Sequence, residues 1–207
     1  MSQYSDYGFQ SSQAEHTAAY LHDPLIQLLT KDAVILDLGC GNGALVNKLI
    51  TLGYNAYGSD ASASGIEIAN KVNPGRFAIQ DLSSDELPEN FSNLKFTTII
   101  STEVVEHLYA PRKFVGFAKH ILLRNGGGNF ILSTPYHGYF KNLTIALAGK
   151  WDTHADPLWD GGHIKLWSKK TLTTLLNEQG FKVSAFRGCG RLPYLWKSMI
   201  LKSSIVS

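Results

Sequence analysis

Blocks of apolar and polar positions alternate along the chain, and the period changes from block to block. "AVILDLG", residues 33–39, is a continuous apolar run closed by glycine, the pattern of a short strand buried on both faces. "ALVNKLITLG", 44–53, carries apolar residues at helical spacing and stops at Gly53. "NAYGSD", 55–60, reads as a second strand, and "ASGIEIANKVN", 63–73, as a helix that Pro74 cannot continue. "RFAIQDL", 76–82, and the β-branched "KFTTIIST", 95–102, supply a third and a fourth strand. "EVVEHLYAPRKFVGFAKHIL", 103–122, predicts a helix broken near Pro111, and "GGNFILSTP", 127–135, a fifth strand. Ahead of the first strand, "SQAEHTAAYLHDPLIQLLT" predicts one or two helices. Beyond the fifth, "NLTIALAG" predicts a helix inside an irregular stretch, and "SKKTLTTLLNEQG" a helix capped by Ser168 and stopped by Gly180. "FKVSAFRG" and "KSMILKSSI" close the sheet as a final pair.

This alternation predicts one three-layer α/β domain over residues 1–207, built on a mostly parallel sheet. Ligands of such sheets bind beyond the carboxyl ends of the strands, near the point where strand order reverses. The connection 135–167 is long for its place, and long connections carry function or a helix of their own. It holds Trp151, Trp159 and Trp167, which suggests a substrate cap, with Trp167 packing the segment onto the domain. Residues 1–30 predict an N-terminal helical lid, whose "YSDYGF" places Tyr4 or Tyr7 near a substrate.

Composition narrows the class. The 207 residues are 44% hydrophobic and 17% charged, which suits one globular core. A formal net charge of +2 gives no electrostatic reason to expect nucleic acid. No apolar run reaches the length of a membrane span, the first residues do not resemble a signal peptide, and Cys40 and Cys189 form no disulfide framework. A cytoplasmic protein is the expectation.

The chemistry starts at "VILDLGCGNGALVNKLI". Gly39, Gly41 and Gly43 let the chain turn sharply and let a ligand touch backbone. Read as G-x-G-x-x-A ending at Ala44, with Asp60 downstream, the segment also fits a dinucleotide fingerprint and hence an NAD-dependent dehydrogenase. Asp37 tilts the choice, because a carboxylate there would repel a pyrophosphate and suit a cationic amine. S-adenosylmethionine offers an ammonium, a sulfonium, a ribose diol and an adenine, and no phosphate. Asp60 can accept from both ribose hydroxyls, and Asp81, at the third strand tip, from the adenine amino group.

"ILDLGCGNG", followed by Asp60 and Asp81, resembles the class I S-adenosylmethionine-dependent methyltransferases. That resemblance implies a Rossmann-like fold, a seven-stranded mostly parallel sheet with the last strand antiparallel. It implies that the loop after the fourth strand, around Ser101 and Thr102, lies along the cofactor. The expected cofactor set is Asp37, Gly39, Cys40, Gly41, Asp60, Ala61, Asp81, Leu82, Ser101 and Thr102, with Cys40 as a small residue inside the turn.

"STEVVEHL" places Glu103, Glu106 and His107 at i, i+3 and i+4, which share one face if the segment is helical. Two carboxylates and an imidazole can bind a divalent cation, and an oxygen-rich set favours Mg or Mn. The plainer alternative is a solvated helix start. An E-x-x-E-H here is similar to the ubiquinone-biosynthesis O-methyltransferases and the small-RNA 3′-terminal 2′-O-methyltransferases, in which a later histidine completes a metal site. By that resemblance the ligands are Glu103, Glu106, His107 and His163, the last from "GGHIKLWSKKTL", with His137 and then His154 as rivals. His107 or His163, if not metal-bound, is a candidate general base. Arg187 and Arg191 in "RGCGRLPYL" are candidates for an anionic substrate group or plain surface residues.

The leading expectation is therefore O-methylation of a small or medium-sized molecule. RNA 3′-terminal 2′-O-methylation and a non-catalytic S-adenosylmethionine-binding protein are the alternatives. The acceptor lies with the variable segments, and oligomeric state is open.

Overall fold

The structure is a computed structural model describing residues 6, 8–84 and 86–206. Tyr4 and Tyr7, expected near the substrate, lie outside the described residues. Seven strands form one sheet: β1 (Val34–Leu38), β2 (Asn55–Asp60), β3 (Phe77–Ile79), β4 (Thr98–Thr102), β5 (Gly127–Pro135), β6 (Lys182–Cys189) and β7 (Ser198–Val206). Their spatial order is β3-β2-β1-β4-β5-β7-β6. β1 to β5 run parallel, and β7 runs antiparallel to both β5 and β6, the expected Rossmann-like arrangement. The order reverses between β1 and β4, so the crevice beyond their carboxyl ends is the predicted ligand position.

Among the described residues there are seven α-helices, α5 and α6 lying in the connection 135–167: α1 (Ala18–Ile26), α2 (Ala44–Thr51), α3 (Ala63–Val72), α4 (Pro111–Leu123), α5 (Tyr139–Leu147), α6 (Trp151–Ala155) and α7 (Lys169–Glu178). Successive strand residues face opposite layers, which makes continuous apolar runs necessary. Leu36 and Leu38 of β1, Ile99 of β4, and Phe130 and Leu132 of β5 join Phe114 and Leu122 of α4 and Leu172 of α7 in one core. Their neighbours Ile35, Ile100 and Ile131 join Leu21 and Leu25 of α1 and Val46 and Leu49 of α2 in the other. Ser62 caps α3 by accepting from the Gly65 N–H at 3.0 Å, and Ser168 with Thr171 forms a reciprocal capping box on α7.

Four expectations change. The helix predicted over 103–122 is a single 3-10 turn, Val105–His107, followed by α4 from Pro111, where a proline is at home in the first helical turn. Glu103 sits at φ 54°, in the left-handed region, which ends β4 and keeps it out of any helix. Glu103, Glu106 and His107 are thus not aligned by helical spacing. Ser101 and Thr102 are the last residues of β4 rather than a loop beyond it. Within residues 1–30, α1 buries Leu21 and Leu25 completely enough to be a layer of the core, and the stretch that lies over the glycine loop is non-helical. The connection 135–167 carries two helices, α5 and α6, where one was predicted. Among the described residues, no helix is long and apolar enough to cross a membrane.

If α1 is a core layer, Leu25→Ala will cost about 2–5 kcal/mol in urea unfolding, the range for emptying a packed leucine site. A cost well below 1 kcal/mol would show α1 to be a detachable flap.

Candidate active site

The glycine loop joins β1 to α2. Gly39, Gly41 and Gly43 have φ of 84°, 55° and 75°. A side chain at Gly39 would drive into Val104, the residue after Glu103, so this glycine lets the two loops touch. A Cβ at Gly43 would stand 2.5 Å from the Ala69 Cβ and 2.7 Å from Phe77. The loop is pinned across the strands: the N–H groups of Gly39 and Cys40 donate to the Ser59 carbonyl at 2.8 and 3.0 Å. Cys40 lies buried against Gly58, and burial pushes its thiol well above its usual range, so it is a packing residue. The N-terminal stretch crosses this loop. Asn42 donates its amide to the Ser11 and Gln13 carbonyls, and the Phe9 ring comes within 3.2 Å of a Cβ placed on Gly41.

Asp37, at the end of β1, is 1% exposed, and neither carboxylate oxygen has a hydrogen-bond partner among the described residues. Burial first, and Asp60 second, push its pKa up to about 8. A carboxylate in that position is stabilised only by a donor or cation that enters from the cleft. Asp60, at the end of β2, accepts from the Gly41 N–H through Oδ2 and the Ser62 N–H through Oδ1, each at 2.8 Å. Burial still raises its pKa. Asp81 follows β3 by two residues and is half-buried with Leu82; its Oδ1 accepts from the Ser83 N–H at 2.8 Å. Ala61 is half-buried between Asp60 and Ser62. Ser101 is buried and donates its hydroxyl to the Leu38 carbonyl at 2.8 Å, tying β4 to β1 beneath the cleft, while Thr102 is half-buried.

The second cluster lies across Val104. One ligand atom each from Glu106, His107 and His163 lies within 4.8 Å of the others. Glu106 is 1% exposed; Oε2 accepts from the Thr134 hydroxyl at 2.9 Å, and Oε1 has no partner. Burial and Glu103 hold its carboxyl well above the usual range. His107 Nδ1 lies 2.8 and 3.1 Å from the carbonyls of Gly161 and Gly162. Both are acceptors, so Nδ1 carries a proton. His163 packs edge-on to His107, with ring centroids 4.9 Å apart, and burial followed by His107 holds its pKa at about 4. The Glu106 carbonyl accepts from the N–H groups of Ile164 and Lys165 at 3.0 Å, which docks the connection beside this turn.

Glu103 stands outside that group of three. Its Oε1 accepts from Ser133 at 2.8 Å and its Oε2 from Ser198 at 3.1 Å, and burial lifts its pKa to about 7. His137 and His154 do not join His163; they pair with each other, with centroids 5.2 Å apart. Trp167 packs on the core, whereas Trp159 lies 5.7 and 5.4 Å, centroid to centroid, from His107 and His163. Arg187 turns back to the Phe186 carbonyl. Sequence reasoning missed Ser133, Thr134 and Ser198, the hydroxyls that receive the two glutamates. The signal was the polar pair at the end of "FILSTP", where the apolar strand breaks. It also missed Lys141, a lone cation in the apolar helix "YFKNLTIAL".

Replacing Asp37 by Asn will separate the charge from the shape. The folded-state pKa is raised, so unliganded protein loses stability as pH rises from about 4 to about 8. Asp37→Asn should remove the Asp37 share of that slope, leaving the shares of Asp60, Glu103 and Glu106, and raise the melting temperature at pH 8. It should also weaken a cationic amino-acid ligand roughly ten- to hundredfold, the worth of a charged hydrogen bond. A slope in the variant as steep as in wild type would disprove the assignment.

Comparison with known proteins bears on these features. A family model described as a methyltransferase domain matches residues 12–185. A protein of Bacillus thuringiensis (strain Al Hakam), called an uncharacterized methyltransferase, is 32% identical over 182 residues, covering 84% of this chain and 82% of its own. An S-adenosylmethionine-dependent methyltransferase from Mesorhizobium loti superposes with a TM-score of 0.66 at 18% identity, over 88% of this chain and 96% of its own. Magnesium protoporphyrin IX methyltransferase from Synechocystis PCC 6803, solved with bound S-adenosylhomocysteine, gives 0.64 at 20% identity, over 88% and 81%. At those identities the two structures share the fold.

Proposed function

We propose, from the premise that the chain belongs to the methyltransferase-domain family and is an S-adenosylmethionine-dependent methyltransferase, that it methylates an oxygen of a small or medium-sized acceptor with help from a divalent cation. Family membership sets the dinucleotide reading aside. The observation that carries the finer proposal is a buried Glu106 carboxyl, bare at Oε1, gathered with two imidazoles. Such an atom fits a cation, because nothing else among the described residues satisfies it.

The residues divide the work. Asp37 receives the donor's ammonium, Asp60 its ribose diol and Asp81 its adenine amino group. Methyl transfer is an in-line displacement at a carbon already activated by the sulfonium, so alignment supplies much of the rate. Val104, wedged against Gly39, fixes the distance between the donor loop and the 3-10 turn that bears Glu106 and His107. Glu106, His107 and His163 would hold Mg or Mn, which when bound lowers the pKa of an acceptor hydroxyl. A catechol or vicinal diol presents two such oxygens. Where no metal is bound, His163, kept neutral by burial, and His107 are instead the candidate bases for the acceptor proton.

Manganese binding to the purified protein, followed by calorimetry, tests the site. Glu106→Gln and His163→Ala should each weaken it more than about tenfold. Equal manganese affinity in wild type and both variants would refute these ligands. Methyl transfer to catechols, measured beside transfer to RNA with a free 3′ diol, decides the acceptor: faster transfer to RNA would replace the small-molecule reading.

A further inference from the structure

α5 has an inverted polarity. Tyr139, Phe140 and Leu147 are exposed, and the one side chain it buries is Lys141, 7% exposed. A buried ammonium requires a counter-charge and full hydrogen bonding. Lys141 has neither. Its Nζ donates once, to the Lys197 carbonyl at 3.1 Å, an oxygen that already accepts from the Tyr136 N–H. Among the described residues it makes no ion pair. Its surroundings are basic. Arg191 pushes on its charge more than Glu103 draws it, and His137, His154 and His163 all feel it. Two nitrogens beside it are also bare: Nδ1 of His137, itself 7% exposed, and Nε2 of His154.

The logic that gives Asp37 a cation gives Lys141 an anion. Lys197, which holds Lys141, precedes Ser198, which holds Glu103, so the basic cluster adjoins the proposed acceptor position. We infer that Lys141 and Arg191 form an anion subsite for an acidic group, carboxylate or phosphate, of the methyl acceptor, lined by His137 Nδ1 and His154 Nε2; the acceptor half of this rests on the methyl-transfer reading above. Burial and Arg191 lower the Lys141 ammonium to about 8, so it is still charged at neutral pH. A neutral acceptor would leave it with Glu103 alone against Arg191, and the subsite therefore selects acidic acceptors over neutral analogues of the same shape.

The test uses the full chain, with and without S-adenosylhomocysteine, at ionic strength fixed with chloride. Thermal denaturation is followed against benzoate, inorganic phosphate and neutral benzyl alcohol. Benzoate or phosphate should raise the melting temperature and benzyl alcohol should not; whichever anion binds more tightly identifies the acidic group. Lys141→Met should weaken the anion at least about tenfold, since it removes the buried charge that faces it. Arg191→Asn guards against a Lys141→Met that does not fold: Arg191 is exposed at φ 74°, a backbone asparagine tolerates. It should weaken the anion and leave the urea midpoint unchanged. Equal stabilisation of wild type and variants, or no response to either anion, overturns the subsite. Loss of S-adenosylhomocysteine binding with the anion response intact would instead overturn the methyl-transfer reading alone.

Discussion

A carboxylate sealed at the tip of the central strand with no donor in reach is the constraint on which the rest of this molecule depends. Asp37 lies on β1, which is paired on both sides, to β2 and to β4. The sheet cannot give way to hydrate it, and the glycine turn that follows offers no N–H to it. Its second neighbour, Asp60, worsens the problem by repulsion and spends its own oxygens on the Gly41 and Ser62 amides. Below about pH 8 a proton relieves the buried charge, and a positively charged group lying on the backbone of the turn would take its place. Phosphate-bearing cofactors meet the same site with the wrong sign.

A single apolar contact transmits this arrangement to the acceptor side. Gly39 has no side chain because Val104 occupies that space, and Val104 sits between the two glutamates. Glu103 turns toward Ser133 and Ser198, while Glu106 turns toward Thr134 and the histidines. The left-handed backbone at Glu103 produces this divergence, and such strain persists only where surrounding structure fixes it. Two acids three residues apart consequently serve different neighbours: one near the basic cluster around Lys141, the other in the group with His107 and His163.

The layer order, the strand tips and the glycine turn were legible in the sequence because each is a local signal: apolar runs bounded by glycine, helical spacing, acids at run ends. The set of Glu106, His107 and His163 was legible as residue types, and through a family resemblance. Its geometry was not, since a regular helix was the natural extrapolation and the left-handed residue at Glu103 cannot be read from a glutamate. Ser101 was readable as a strand-tip polar residue; that its hydroxyl is committed to the Leu38 carbonyl depends on which strand lies beside it. Lys141 escaped for the same reason. Only the packing of α5 reveals that its charge points inward, and nothing in "YFKNLTIAL" distinguishes a buried lysine from a solvated one.

The carbonyls of Gly161 and Gly162, which hold His107 in one tautomer, belong to the long connection rather than to the sheet. Lifting that segment away would free the ring to exchange its proton between nitrogens and to swing. The imidazole keeps its orientation only while residues 161 and 162 lie against it; under the proposed function, the centre would fall idle whenever that segment lifted and the cleft stood open to water.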